Sequence, residues 1–381
     1  MIVDSHVYCF PPADEPAGYS SAEQHMAWVQ EAQARHHQPA WRTRDRAPAS
    51  SGELAADGIP DPSRLPAVDF RVDHAKGRVV WTIDREDYTK QFYPPNLRNL
   101  EFTPESLIAE MDYAGVDMAL IHTNPMLTRD SAYLSDCVHQ YPNRLRSMAP
   151  ADEWRIIDEP DAVIEELSTA ITQHRLHAIK FNTRPAFLKS SEPWDDGPYR
   201  PFWQATTALS VPIFFTLGTG PSPVGRARST KEQRRGYLDE QQVLLRWMDR
   251  YPDSICSLTH GFPWRAFLEG DRFTLPEAVW DPFGNPNCHL EICFPVRVGD
   301  LFDFPFREVW PALEISVERI GADRLLWGTD IPFQNRFCTY RQSRDWIEKY
   351  CTFLNRADLQ MVMGGTASRL LGLGDSGPTE L

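Results

Sequence analysis

The sequence contains no run of about 18 apolar residues, so nothing in it reads as spanning a membrane. Its first residues, MIVDSHVYCF, lack the basic region and long apolar core of a secretory signal, so a cytoplasmic location is expected. No two cysteines form a CxxC pair, and the seven present are an odd number scattered from Cys9 to Cys351. A disulfide frame and a four-cysteine zinc site are therefore not expected, and free thiols are. Basic residues are scarce: 39 Lys and Arg against 53 Asp and Glu leave a net charge of −14. Such a chain repels phosphate backbones, so nucleic acid is not an expected partner. No GxGxxG follows the first apolar run, which argues against a dinucleotide-binding fold.

What is present in excess is proline, 32 of 381 residues. Proline fixes φ and removes a backbone donor, so much of the chain must lie in ordered loops, where function commonly sits. Short apolar runs recur between helical stretches. The first opens at Ile2–Val3 and leads to Tyr8. Residues 9–100 then break the rhythm with a predicted helix at 21–35 and a hairpin in which 68–72 and 78–83 flank Asp73–Gly77. Their aromatic content is too high for disorder. Thereafter strands are predicted at 118–122, 145–149, 177–181, 211–216, 255–260, 288–293 and 324–327. Helices alternate with them, including 104–114, 237–251, 341–354 and 356–370. Eight buried, continuous apolar strands alternating with helices favour an α/β fold, a (β/α)8 TIM barrel. The barrel is expected to span 1–8 and 101–373, with 9–100 an inserted lid or hairpin subdomain after strand 1 and 374–381 a C-terminal tail. A basic run at 225–235 reads as a solvated loop or subunit contact.

Chemistry in such barrels sits at the C-terminal ends of the strands. Those ends offer His6 and Tyr8 on strand 1, His122 on strand 2, Lys180 on strand 4, Thr216 on strand 5, His260 on strand 6, Glu291 on strand 7 and Asp330 on strand 8. Alternation places His6 and Tyr8 on one face. Imidazole and carboxylate suit both divalent metal and acid–base work. The competing structural reading is that these polar groups merely satisfy one another inside the barrel mouth.

Several stretches resemble the amidohydrolase superfamily, in the branch of aminocarboxymuconate-semialdehyde decarboxylase. They are Ile2-Val-Asp-Ser-His6, Phe102–Asp117, Leu326-Trp-Gly-Thr-Asp330-Ile-Pro and Gly364–Leu373. The resemblance implies one divalent metal held by an HxH pair on strand 1, a histidine on strand 5 and an aspartate on strand 8, with a strand 6 histidine beside it. His6, His260 and Asp330 match their positions. Tyr8 stands where the second strand 1 histidine belongs, and Thr216 where the strand 5 histidine belongs. His6 and Asp330 are thus the metal-ligand candidates, and the expected cofactor is either none or one zinc or manganese ion.

The expected function is an amidohydrolase-like enzyme acting on a small aromatic or carboxylated compound. Hydrolysis of an ester, lactone or amide around Asp330 and His260 ranks first, with His6, Lys180 and Tyr8 completing the catalytic set. Non-oxidative decarboxylation of an aromatic acid is the alternative, and a retired barrel that only binds is a third reading. Substrate contacts are expected from Phe262 and Trp264, which follow His260, from Phe333, which follows Asp330, and from His122 and Thr216. Arg184 and Arg336 are expected to pair with a carboxylate. A homodimer is a further expectation.

Overall fold

The computed structural model describes residues 1–56, 61–219 and 229–373. The tail assigned to 374–381 and the first part of the 225–235 basic run lie outside the described residues. Eight parallel strands follow one another around a ring: β1 (Val3–Val7), β2 (Met118–Ile121), β3 (Leu145–Pro150), β4 (Ala178–Asn182), β5 (Ile213–Thr216), β6 (Cys256–Leu258), β7 (Cys288–Ile292) and β8 (Leu325–Trp327). Each pairs with its sequence neighbour, and β8 returns to β1 just beyond its own end. There the Tyr8 amide donates to the Ile331 carbonyl at 3.0 Å and the Asp330 amide to the His6 carbonyl at 2.8 Å. The fold is thus the expected TIM barrel. Its strands are short and almost wholly buried, as parallel strands covered on both faces must be.

Local signals set the helices. Thr103 caps the Pro104–Ala114 helix by accepting from the Ser106 amide, and Gly115, at φ +70°, stops it. The helix before β6 runs Thr230–Arg250, beginning seven residues earlier than its apolar pattern suggests. Its start is set by a reciprocal cap between Ser229 and Glu232, which serves a polar first turn. The long helices expected at 341–354 and 356–370 are both interrupted by wider turns. At Gly364 the cause is close packing on β1: a Cβ there would lie 2.4 Å from the Met1 carbonyl oxygen and 2.9 Å from the Val3 nitrogen.

The 9–100 segment leaves and rejoins the barrel through one antiparallel pair, in which Phe10 and Phe102 exchange both backbone hydrogen bonds at 3.0 Å. It carries the helix Ala22–Arg35 and a five-stranded antiparallel sheet, more than the single hairpin expected. The hairpin strands are Arg71–Asp73 and Arg78–Ile83. A further strand, Glu86–Lys90, pairs with the second of these across Asp84 and Arg85, both at positive φ. Its polar sequence gives no apolar alternation, which is why the pattern does not announce it. Lys90 crosses from this sheet to donate to the Gln33 carbonyl at 2.6 Å and the Ser51 hydroxyl at 2.8 Å, tying sheet to helix. All seven cysteines are buried and unpaired, as expected. No helix among the described residues is long and apolar enough to cross a membrane.

Candidate active site

The strand ends converge on one buried cluster. The β1–β2 register slips between Asp4 and Val7, and His6 sits in this irregular stretch. Its Nδ1 donates to Glu291 Oε2 on β7 at 2.7 Å. That bond fixes the tautomer and turns Nε2 toward Tyr8 Oη at 2.9 Å and Asp330 Oδ1 at 3.1 Å. Asp330 Oδ1 also receives His260 Nε2 at 3.1 Å. His260 and Asp330 both adopt left-handed backbone, φ +63° and +64°, just past the ends of β6 and β8. Such outliers among non-glycine residues concentrate at functional sites and here aim two side chains at one point.

Below this layer, the His122 ring stacks on His6 at 3.6 Å. Its Nε2 donates to the Ser5 carbonyl at 2.7 Å, and its Nδ1 accepts from Lys180 Nζ at 3.2 Å. Lys180 donates also to Thr259 Oγ1 at 3.1 Å, which meets Thr216 Oγ1 at 2.7 Å. A continuous polar chain therefore links the ends of β2, β4, β5 and β6 beneath this layer.

The charges follow from burial and neighbours. Burial works against an imidazolium at His6, but Glu291 and Asp330 outweigh it and raise its pKa. Burial favours protonated Glu291 and Asp330, yet the histidines around each hold both below the usual carboxylate range. His260 is pushed down to about 4, chiefly by burial, and His122 falls well below 6.5 for the same reason. Burial brings Lys180 down to about 8. Burial, then Asp330 and Glu291, push the Tyr8 phenol well above 10.

The sequence-derived residues divide into two groups. His6, Tyr8, His260 and Asp330 meet in one layer, while Lys180, His122 and Thr216 lie in the polar chain below it. His122 is wholly buried with both ring nitrogens engaged, which corrects its assignment as a substrate contact. Phe262 packs among Tyr237, Trp280 and Phe283, and Trp264 lies on Phe294 and donates to the His260 carbonyl. Both belong to the core, and Trp264 positions His260. The Arg184 guanidinium donates to Glu31 of the 9–100 helix at 2.7 Å, so it fastens that segment to the barrel. Phe333 faces Tyr8 at 5.7 Å and joins Phe10, Phe92 and Tyr93 in an aromatic cap over the site. Glu291 has a larger part than its place among the strand ends suggests, accepting from His6, Ser5 and the His260 amide. The signal was there: an acidic residue inside a buried apolar strand needs partners. The larger cavity, about 900 Å³ beside Tyr19, Arg129 and His174, contains none of these groups.

A family model described as amidohydrolase matches residues 35–373. The chain belongs to the amidohydrolase family. It is 26% identical over 275 residues, 66% of this chain and 77% of its counterpart, to the gamma-resorcylate decarboxylase of a Polaromonas species. Among solved structures, 5-carboxyvanillate decarboxylase from Sphingomonas paucimobilis superposes with a TM-score of 0.55 at 17% identity, covering 97% of this chain and 98% of that one. A dihydroxybenzoic acid decarboxylase from Polaromonas, crystallised with manganese and 2-nitroresorcinol, gives 0.50 at 21% identity over 74% and 91%.

In this amidohydrolase the metal question reduces to donor chemistry. His6 Nε2, His260 Nε2 and Asp330 Oδ1 all lie within 4.8 Å of one another. Metal–ligand bonds of about 2.0–2.2 Å at near-tetrahedral or octahedral angles separate neighbouring donor atoms by roughly 3 Å. The 3.1 Å spacings of Asp330 Oδ1 from both histidines therefore suit a shared cation. Two histidines and one carboxylate are a sufficient protein set for catalytic zinc, and Glu291 supplies the carboxylate that orients a ligand histidine. The candidate set contains the expected pair, His6 and Asp330, and adds His260.

Proposed function

We propose that this amidohydrolase is a non-oxidative decarboxylase of a small aromatic acid. The observation that carries the reading is the convergence of His6, His260 and Asp330, with the Tyr8 hydroxyl, on one point at the barrel mouth. The decarboxylase names of its relatives favour carbon–carbon cleavage over the hydrolysis ranked first from the sequence. His6, His260 and Asp330 would hold a zinc or manganese ion, which would supply positive charge to a substrate carboxylate or phenolate oxygen.

The chain's own groups divide the remaining work. The Tyr8 hydroxyl, held 2.9 Å from His6 Nε2, is the donor placed to protonate the ring carbon bearing the carboxylate. As that C–H bond forms, the bond from ring to carboxylate breaks, its electron pair returns to the ring, and CO2 leaves. Solvent then restores the Tyr8 proton, so one proton is consumed per CO2 released. Glu291 keeps His6 in place, and the aromatic cap built on Phe333, Phe92 and Tyr93 excludes bulk water. The 9–100 segment, which supplies Phe92 and Tyr93, serves as the lid.

Incubation with a panel of hydroxybenzoic acids, following CO2 release, tests this reading. Release by the wild type, abolished in Asp330→Asn with the melting temperature preserved, is the expected result. Turnover of aryl esters or lactones without CO2 release from any acid in the panel would instead establish a hydrolase.

A further inference from the structure

Lys180 of β4 is buried in the polar chain beneath the candidate site. Among the described residues no carboxylate comes within ion-pair distance of its Nζ. Burial brings its pKa down to about 8 against the more distant pull of Glu291 and Asp330. Burying an ammonium without a counter-ion costs stability, so the side chain has to be explained by what it holds.

It holds two groups. One hydrogen goes to His122 Nδ1 at 3.2 Å, while His122 Nε2 donates to the Ser5 carbonyl at 2.7 Å. Both contacts demand the same tautomer, and together they fix the plane of the ring. The His6 ring lies on that plane, 3.6 Å away and tilted by 14°, and Ser5 is the residue before His6. A second hydrogen goes to Thr259 Oγ1 at 3.1 Å, a hydroxyl that itself donates to the Phe215 carbonyl at 3.1 Å. Thr259 directly precedes His260, whose left-handed backbone aims its ring at Asp330. His122, Lys180 and Thr259 come from β2, β4 and β6, the alternate strands that supply one interior layer of such a barrel. Lys180 thus reaches across this layer and touches a neighbour of each histidine that stands 3.1 Å from Asp330 Oδ1.

We infer that Lys180 is a positioning residue, which sets the geometry of His6 and His260 from beneath without touching substrate. The inference rests on the reading of His6, His260 and Asp330 as the metal-holding set.

Lys180→Met keeps the length of the side chain and removes its donors. Zinc affinity by chelator competition, urea unfolding, and NMR of the histidine ring nitrogens in metal-free protein test the assignment. Zinc affinity should fall at least about tenfold in the variant, as when other groups behind a metal ligand are removed. Its unfolding should stay cooperative, which separates lost positioning from lost folding. The ring signals of His6 and His260 should shift along with those of His122. Should Lys180→Met not unfold cooperatively, Thr259→Val, which removes only the second contact, takes its place and should lose at least about threefold in zinc affinity. Unchanged zinc affinity overturns the assignment, and so does tighter binding, which a merely repelling charge at Lys180 would predict. If the wild type binds no zinc, the metal reading fails and the NMR comparison decides alone: unmoved His6 and His260 signals overturn the positioning role.

Discussion

Replacing Glu291 by glutamine and by alanine asks what this carboxylate contributes. Its Oε2 receives His6 Nδ1 at 2.7 Å, the His260 amide at 2.9 Å and, weakly, Cys293 Sγ at 3.5 Å, while Oε1 receives the Ser5 hydroxyl at 3.1 Å. Glutamine can place its carbonyl oxygen at the Oε2 position and keep the first three contacts. Its amide nitrogen then faces Ser5, whose hydroxyl can turn to accept. The loss is chiefly the charge assistance to His6, about 1–2 kcal/mol. Alanine leaves buried His6 and His260 donors with no acceptor, and at about 1–3 kcal/mol each the cost is roughly 2–6 kcal/mol. Urea unfolding of the three proteins, compared by midpoint at unchanged slope, reads these differences directly. The alanine variant should also lose roughly 10–100-fold in metal affinity or turnover, because His6 is no longer oriented, and the glutamine variant less. If alanine costs less than about 1 kcal/mol, or if glutamine is as damaging as alanine, Glu291 is not the organiser described above.

A second prediction concerns Glu153, wholly buried, which accepts from the Asn182 amide at 2.6 Å and from Arg129 at 3.2 Å. Burial raises its folded pKa to about 7 against 4.5 for an exposed side chain, with Arg129 opposing. Between those values the folded chain keeps a proton that the unfolded chain releases, so this group favours the wild type as pH falls from 7 toward 4.5. Relative to Glu153→Gln, the wild type should gain about 3 kcal/mol between pH 8 and pH 5, read from urea midpoints of both proteins, and an unchanged difference would contradict the assignment. Metal analysis of purified protein should find about one zinc or manganese per chain, lost in His260→Gln as well as in Asp330→Asn. Retention of metal by both variants would place the ion elsewhere, and metal-free protein with chelator-resistant activity would exclude a metal role.

The barrel was legible because its strands are continuous apolar runs, and buried parallel strands can hardly read otherwise. The convergence of His6, His260 and Asp330 was legible because residues at successive strand ends of a closed ring must face one mouth. The Glu86–Lys90 strand was not, since its pairing is dictated by a turn with two positive φ angles and not by alternation. The roles of Phe262, Trp264 and Arg184 depend on what packs behind a strand end, information that sequence spacing does not hold. His122 shows the same limit: its position fits a site residue, but a lysine from β4 and a carbonyl from β1 occupy its ring nitrogens. Arg336 is a further case. Its type suggests a carboxylate partner, but it lines a separate cavity of about 290 Å³, and the Phe333 ring stands between its guanidinium and Tyr8, which corrects its assignment as a substrate contact.

The central claim is carbon–carbon cleavage with protonation at the vacated ring position. Turnover of an aromatic acid substrate in D2O, with the product analysed by mass spectrometry and NMR, tests it most directly. One deuteron on the carbon that bore the carboxylate, with CO2 released in equal amount, is the result this account predicts. A product that retains its carboxylate and carries no deuterium on the ring would contradict it.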